Sequence, residues 1–83
     1  MKLVTKQMSV IDMKHFSRED ESSVRVNEIG SNIIKLKDSE GWILYIDQSK
    51  SARVSVDISH QLKNKLQQNI NQGYEYIQIK KAS

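Results

Sequence analysis

Apolar and polar residues alternate along three segments in the middle of the chain, residues 32–37, 41–47 and 52–58. Each segment keeps apolar side chains on one side at a two-residue period, which is the pattern of a half-buried β-strand. Residues 38–41 have the composition of a four-residue hairpin loop, and residues 48–51 form another polar turn. The pattern therefore predicts three consecutive antiparallel strands.

Beyond residue 58 the apolar period changes from two residues to nearly four, because Leu62, Leu66 and Ile70 fall on one helical stripe. Ser59 suits the N-cap of a helix, and Gly73 suits the position just after its last turn. These signals predict a helix over residues 60–72 that packs on the sheet through a narrow apolar stripe. A final alternating segment, residues 74–80, predicts one more strand.

The N-terminal part of the chain has weaker patterning. Residues 2–12 alternate imperfectly, as an edge strand does, while the charged segment 14–23 has the composition of an exposed loop. Val24 and Val26 predict a short strand. The predicted order is β-β-β-β-β-α-β, which makes residues 1–83 one α+β domain with an antiparallel meander of about five strands, a helix and a C-terminal strand. We expect the core to contain Trp42, Leu44, Val54, Val56, Leu62, Leu66 and Ile70.

Composition narrows the functional classes. The 83 residues carry a net charge of +3, and residues 42–83 hold the whole excess, with six basic and three acidic side chains. Such a bias is compatible with phosphate binding. The absence of cysteine excludes disulfides and thiolate chemistry. Because no apolar run resembles a signal peptide or a membrane span, we expect a cytoplasmic protein. The absence of proline beside abundant Asn, Gln, Ile and Lys is typical of AT-rich bacterial or phage genomes.

One face of the predicted sheet combines cations with an aromatic residue. If Ile34 and Leu36 point toward the helix, strand geometry places their neighbours on the opposite face, with Arg25 nearby. Bases can stack on the aromatic and aliphatic surfaces of such a face while Lys and Arg neutralise phosphates. The alternative is an ordinary solvated sheet face. The residues predicted to bind single-stranded nucleic acid are Lys35, Lys37, Tyr45 and Arg53.

Residues 28–70 resemble the family of single-strand DNA-binding domains typified by the transcriptional cofactor called positive cofactor four. Residues 28–30 are similar to the start of the first family strand, residues 34–46 to the family hairpin, and residues 54–63 to its last strand and helix. The resemblance implies a non-enzymatic protein whose sheet binds single strands as a dimer joined through its helices. Carried to matching positions, it implies the same binding residues, Lys35, Lys37, Tyr45 and Arg53. The family has no counterpart to residues 2–12 or 74–80, and its basic glycine-containing loop is reduced here to residues 48–51.

Residues 53–66 also resemble the ribbon and first helix of ribbon-helix-helix repressors, in which paired strands enter the major groove of DNA. That fold requires a second helix after a short turn. Here Gly73 is followed by residues 74–79, which have the period and composition of a strand. This second resemblance therefore ranks below the first.

No constellation of residues predicts catalysis or metal binding. His15 and His60 are far apart in sequence, and neither has a second ligand at helical spacing. Ser59 lies beside His60, but helix capping explains it without nucleophilic chemistry. We therefore predict no enzyme activity, no metal and no cofactor.

Two functional hypotheses follow, with a small enzyme subunit as a remote third. The first is single-stranded nucleic-acid binding through the cationic and aromatic sheet face. The second is a phage-type inhibitor or regulator that binds a host enzyme through an edge strand or the 13–23 loop. Because the predicted sheet has unpaired edges, we expect a homodimer.

Overall fold

The computed structural model describes residues 8–47 and 49–82, which form six strands and two α-helices. It confirms the α+β class. No helix in these residues is both long and apolar enough to cross a bilayer. In chain order the elements are β1 (Met8–Asp12), α1 (Arg18–Val26), β2 (Gly30–Ser31), β3 (Ile33–Asp38), β4 (Gly41–Ile46), β5 (Arg53–Val54), α2 (His60–Asn71) and β6 (Tyr76–Lys80).

Four of the strands form one sheet in the order β1-β6-β4-β3. β4 is antiparallel to both of its neighbours, β3 and β6, whereas β1 runs parallel to β6. Among the described residues, the first and last strands are thus adjacent, unlike the neighbours of a simple meander. β2 and β5 pair separately as a two-stranded antiparallel sheet. Of the N-terminal strand predicted at residues 2–12, residues 2–7 lie outside the described residues.

Helix α2 follows the prediction closely. It covers His60–Asn71, and Leu62 and Leu66 on its apolar stripe are fully buried. Ser59 occupies the N-cap through its backbone, whose carbonyl oxygen accepts from the Lys63 amide at 2.7 Å, and its side chain makes no capping bond. Gly73 follows the helix at a φ of +87°, a conformation that glycine adopts without steric cost.

Helix α1 lies where the sequence predicted a loop over residues 14–23 and a strand at Val24 and Val26, so both of those predictions are wrong. A reciprocal capping box begins the helix: Asp20 N donates to Ser17 Oγ at 3.1 Å, and Ser17 N donates to Asp20 Oδ2 at 3.0 Å. Val24 is the only apolar residue of α1 that is buried. Because its apolar stripe is so small, this helix leaves almost no hydrophobic periodicity in the sequence.

Asp20 is the buried carboxylate of this capping box, and it lies against the start of α2. The Ser59 hydroxyl is buried near Asp20 but makes no hydrogen bond of good geometry. Its proximity is the largest of the effects that lower the pKa of Asp20. The backbone and side-chain bonds to Ser17 lower the pKa further, while burial opposes them. The ionised carboxylate therefore stabilises the folded position of α1.

The third predicted strand, residues 52–58, is reduced to Arg53–Val54. Beyond it the chain turns, because Ser55 Oγ accepts from Asp57 N at 3.1 Å and Ser55 O accepts from Ile58 N at 3.3 Å. Val56 projects from this turn and is 84% exposed, so its assignment to the core is wrong.

The hairpin between β3 and β4 decides which residues face the helices. Asp38 pairs with Gly41, so the loop contains only Ser39 and Glu40 rather than four residues. At Gly41 the φ is +150°, and a side chain there would overlap the Ile79 carbonyl oxygen, so this register requires glycine. Even-numbered residues of β3 then pair with odd-numbered residues of β4.

This register reverses the predicted faces of β3. Paired residues share one face of a sheet, so Lys35 and Lys37 lie on the side of their partners Leu44 and Trp42. Ile34 and Leu36, predicted to face the helix, are 53% and 52% exposed on the other side. We call the side packed by α1 and α2 the covered face and the other side the open face. One hydrophobic cluster forms the core beneath the helices: Ile11, Met13, Val24, Ile29, Ile33, Trp42, Leu44, Ile46, Val54, Ile58, Leu62, Leu66, Ile77 and Ile79.

Candidate functional site

The four residues predicted to bind nucleic acid do not share a surface. Lys35 and Lys37 lie on the covered face of β3, and Tyr45 lies on the open face of β4. Arg53 belongs to the separate two-stranded sheet, where it pairs with Ser31. The predicted single platform is therefore corrected: the hairpin register divides the lysines from the tyrosine, and the pairing of β5 with β2 places the arginine in a separate sheet.

The charged amino group of Lys35 makes its contacts within the fold. Its Nζ donates to the carbonyl oxygens of Val24 at 2.7 Å, Arg25 at 3.2 Å and Asn27 at 2.7 Å. These carbonyls lie at the end of α1, where the helix dipole is negative. An ammonium group has three N–H donors, so all of them are used. Lys35 therefore joins β3 to α1, and Lys37 is the lysine of this strand that remains available to a ligand.

A cleft lined mainly by basic side chains opens between α1, the covered side of β3 and the C-terminal segment, and we call it the basic cleft. Its volume is about 480 Å³. Its lining brings together four cations, one carboxylate and one aromatic ring: Arg25, Lys35, Lys37, Lys81, Glu21 and Trp42.

Three cations of the cleft have no carboxylate partner among residues 8–47 and 49–82. Arg25, Lys37 and Lys81 make no ion pair there, and Arg25 has only a long contact of 3.5 Å to the Ser22 hydroxyl. The carboxylate of Glu21 accepts from the Ala82 amide at 3.0 Å. Like charges held near one another without counterions raise the local potential. The cleft is therefore suited to bind an anion.

Trp42 forms the apolar wall of the cleft rather than a stacking platform. Its side chain is 6% exposed, and Lys81 Nζ lies 5.7 Å from the centre of its ring. This cation–π contact holds Lys81 against the apolar wall of the cleft. The ring is too deeply buried to accept a base on its face, so recognition here would rest on charge.

The open face of the sheet has a different chemistry. Across the four strands its side chains form three rows, which follow from the strand register. The first row is Met8, Tyr76, Tyr45 and Ile34; the second is Val10, Gln78, Ile43 and Leu36; the third is Asp12, Lys80, Gly41 and Asp38. Tyr45 and Tyr76 contact each other in the first row, with ring centres 5.4 Å apart. The first two rows are thus mostly apolar, and the third row carries charges of both signs.

The described residues contain no group of three or more His, Asp or Glu side chains placed to hold a metal ion. His60 lies within 3.4 Å of the Asn64 amide on α2. His15 lies in the short turn Met13–His15 after β1.

Comparison with known proteins identifies no relative: no protein-family model, curated protein or solved structure matches the chain.

Sequence reasoning located part of the basic cleft. Lys37 was among the predicted binding residues, and Arg25 was placed near them. Lys81 and Glu21 were missed, because the pairing of β4 with β6 brings the C-terminal segment beside α1. The capping-box spacing of Ser17 and Asp20 was the available signal, since recognising α1 would have placed Glu21 and Arg25 on one helix face.

Proposed function

We propose that this protein is a non-enzymatic binding protein that holds single-stranded nucleic acid by its phosphates in the basic cleft. The observation that carries the proposal is the convergence of Arg25, Lys37 and Lys81 without carboxylate partners in the described chain. Phosphate neutralisation supplies most of the affinity of sequence-independent nucleic-acid binding. A site built from charge alone predicts binding with little sequence preference.

The shape of the cleft favours a single strand over a duplex. The cations lie within a concavity of about 480 Å³, which has the size of a small-ligand site rather than of an extended groove. A flexible single strand can bend one or two phosphates into such a concavity. A rigid duplex presents its phosphates on a convex surface and reaches only the cations at the rim.

The test measures the fluorescence anisotropy of a labelled oligothymidine of about 20 nucleotides at several salt concentrations. We expect the logarithm of the binding constant to fall with the logarithm of salt at a slope near −2, at about −0.7 per phosphate for three contacts. An Arg25→Ala/Lys37→Ala/Lys81→Ala variant should bind at least about tenfold more weakly, with a slope close to zero.

A matched variant separates a site from overall charge. Lys50→Ala/Lys63→Ala/Lys65→Ala removes the same charge from exposed or half-exposed positions outside the cleft. It should bind within about threefold of the parent. Equal weakening of both triple variants, or unchanged binding by the cleft variant, would contradict the proposal. Both variants must first show the thermal melt of the parent.

The second candidate is docking on another protein, as an inhibitor or regulator would do. The observation that favours it is the apolar part of the open face, since contiguous exposed apolar side chains mark interaction surfaces. Failure of the oligonucleotide to bind, with the open face shown to be in contact with a foreign protein, would select this candidate.

A further inference from the structure

The open face carries a group of large apolar side chains that are exposed to water. Val10, Ile34 and Leu36 are each 52–53% exposed, and Met8 is 46% exposed, all on one side of the sheet. No described segment of the chain covers them. The opposite side of the same strands is packed by two helices.

We propose that the open face packs against the open face of a second copy of this chain, forming a symmetric homodimer with two stacked sheets between outer layers of helices. Stacked sheets lie about 10 Å apart and bury their facing side chains. The inference is independent of nucleic-acid binding, because the basic cleft lies on the covered side of the sheet.

The charged third row selects the symmetry of this dimer. A two-fold axis parallel to the strands would place the β1 edge of one copy over the β3 edge of the other, bringing Asp12 over Asp38 twice. Juxtaposed like charges disfavour that arrangement. An axis across the strands reverses the row order, and when it passes between the first and second rows the third row of each copy lies outside the contact and in water.

The favoured axis also matches the apolar rows. It places the first row of one copy over the second row of the other, so that Ile34 faces Leu36 and Tyr45 faces Ile43. Tyr76 then lies over Gln78, whose amide can bond to the tyrosine hydroxyl. The pairing is complementary in both directions, as an isologous interface requires.

The area of the face sets the expected strength. Four strands about 4.8 Å apart, with two rows at a two-residue rise of about 6.6 Å, present roughly 250 Å² in projection. Because side chains stand out from the sheet, two such contacts bury roughly 800 Å² of accessible surface, which is the size of a weak, transient interface. We therefore expect a reversible dimer with a dissociation constant in the micromolar range.

Sedimentation equilibrium between about 1 and 500 μM tests the proposal. The parent should shift from monomer to dimer across this range. Leu36→Glu, which places a charge at the β3 end of the second row, opposite Ile34 of the second copy, should remain monomeric throughout. Val56→Glu is the matched control, because Val56 is 84% exposed and lies outside the sheet, and it should dimerise as the parent does. Fluorescence of Trp42, on the covered face, reports that each variant is folded.

Cross-linking tests the axis, and the chain has no cysteine of its own to interfere. A tagged Leu36→Cys variant is mixed with Ile34→Cys or with Val10→Cys and treated with a short bis-maleimide. The axis across the strands predicts cross-linking to Ile34→Cys, whereas the axis along the strands would favour Val10→Cys. The second pattern would overturn the proposed symmetry.

Three results would overturn the dimer itself. These are a monomeric parent at every concentration, a dimer that Leu36→Glu leaves intact, and equal loss of the dimer in Leu36→Glu and Val56→Glu. The first would leave the open face to a partner of different sequence, and the second would move the interface to another surface of the molecule.

Discussion

The two faces of the four-stranded sheet are both rich in apolar side chains, but their surroundings differ. On the covered face Leu44, Ile77 and Ile79 are fully buried beneath the helices. On the open face Ile34 and Leu36 remain about half exposed, although they belong to the same sheet. Alternating sequence therefore identifies the strands, whereas the position of the helices decides which face is the core.

Side chains on the two faces should contribute unequally to the free energy of unfolding. Burying an aliphatic side chain contributes stability through the surface removed from water and through close packing, and a half-exposed chain gains little of either. Leucines on the two sides of the molecule should therefore respond differently to the same truncation.

The largest expected effect is on the covered side. Leu66→Ala should lower the free energy of unfolding by about 2–5 kcal/mol, because it leaves a cavity under α2. Leu36→Ala on the open face should change it by less than about 1 kcal/mol at concentrations where the protein is monomeric. Urea unfolding followed by Trp42 fluorescence measures both. Similar losses for the two variants would show that the open face is packed in the monomer.

A smaller effect is expected where β3 holds the end of α1. Lys35→Met keeps the aliphatic stem but removes three hydrogen bonds to helix carbonyls, and should cost about 1–2 kcal/mol. Lys37→Met, two residues along the same strand, should cost less than about 0.5 kcal/mol. In the oligonucleotide-binding assay the order of the two variants should reverse, so that Lys37→Met weakens binding more than Lys35→Met does. Stability losses of equal size would argue against Lys35 as the cap of α1.

The smallest effect concerns the other end of α1 and depends on pH. Because the pKa of Asp20 is lower in the folded protein, its ionised form contributes stability above the ordinary carboxyl pKa, and this contribution is lost as pH falls through the folded value. Asp20→Asn should therefore cost about 0.5–1 kcal/mol near pH 7 and progressively less below about pH 4. Thermal melts of parent and variant at several pH values compare them. A constant difference down to about pH 2 would rule out the carboxylate charge as the cause.

The sequence predicted the elements that have strong periodicity. The hairpin strands, α2 with Leu62 and Leu66, and the C-terminal strand were located because many residues contribute to each pattern. Helix α1 was missed because a single buried valine, Val24, carries its apolar stripe, while its charged first turn has the composition of a loop. Capping chemistry rather than hydrophobicity was the informative signal there.

The candidate site was less predictable, because it depends on one turn and one long-range pairing. β3 has apolar residues at Ile33, Ile34 and Leu36, so its pattern fits either face. The register pairs Lys35 with Leu44 and Lys37 with Trp42, so both lysines share the covered side with those apolar partners. Lys81 reaches the cleft only through the pairing of β6 with β4, which no local pattern encodes.

The parallel pairing of β1 with β6 has a consequence for how the molecule comes into being. In the described chain the ladder partner of β1 lies more than sixty residues away, at Tyr76–Lys80. During synthesis β1 therefore stays without its ladder partner until β6 has been added. Contacts of such long sequence separation slow folding and leave strand edges exposed in the meantime. The four-stranded sheet can thus be completed only after β6 has been made and has inserted between β1 and β4.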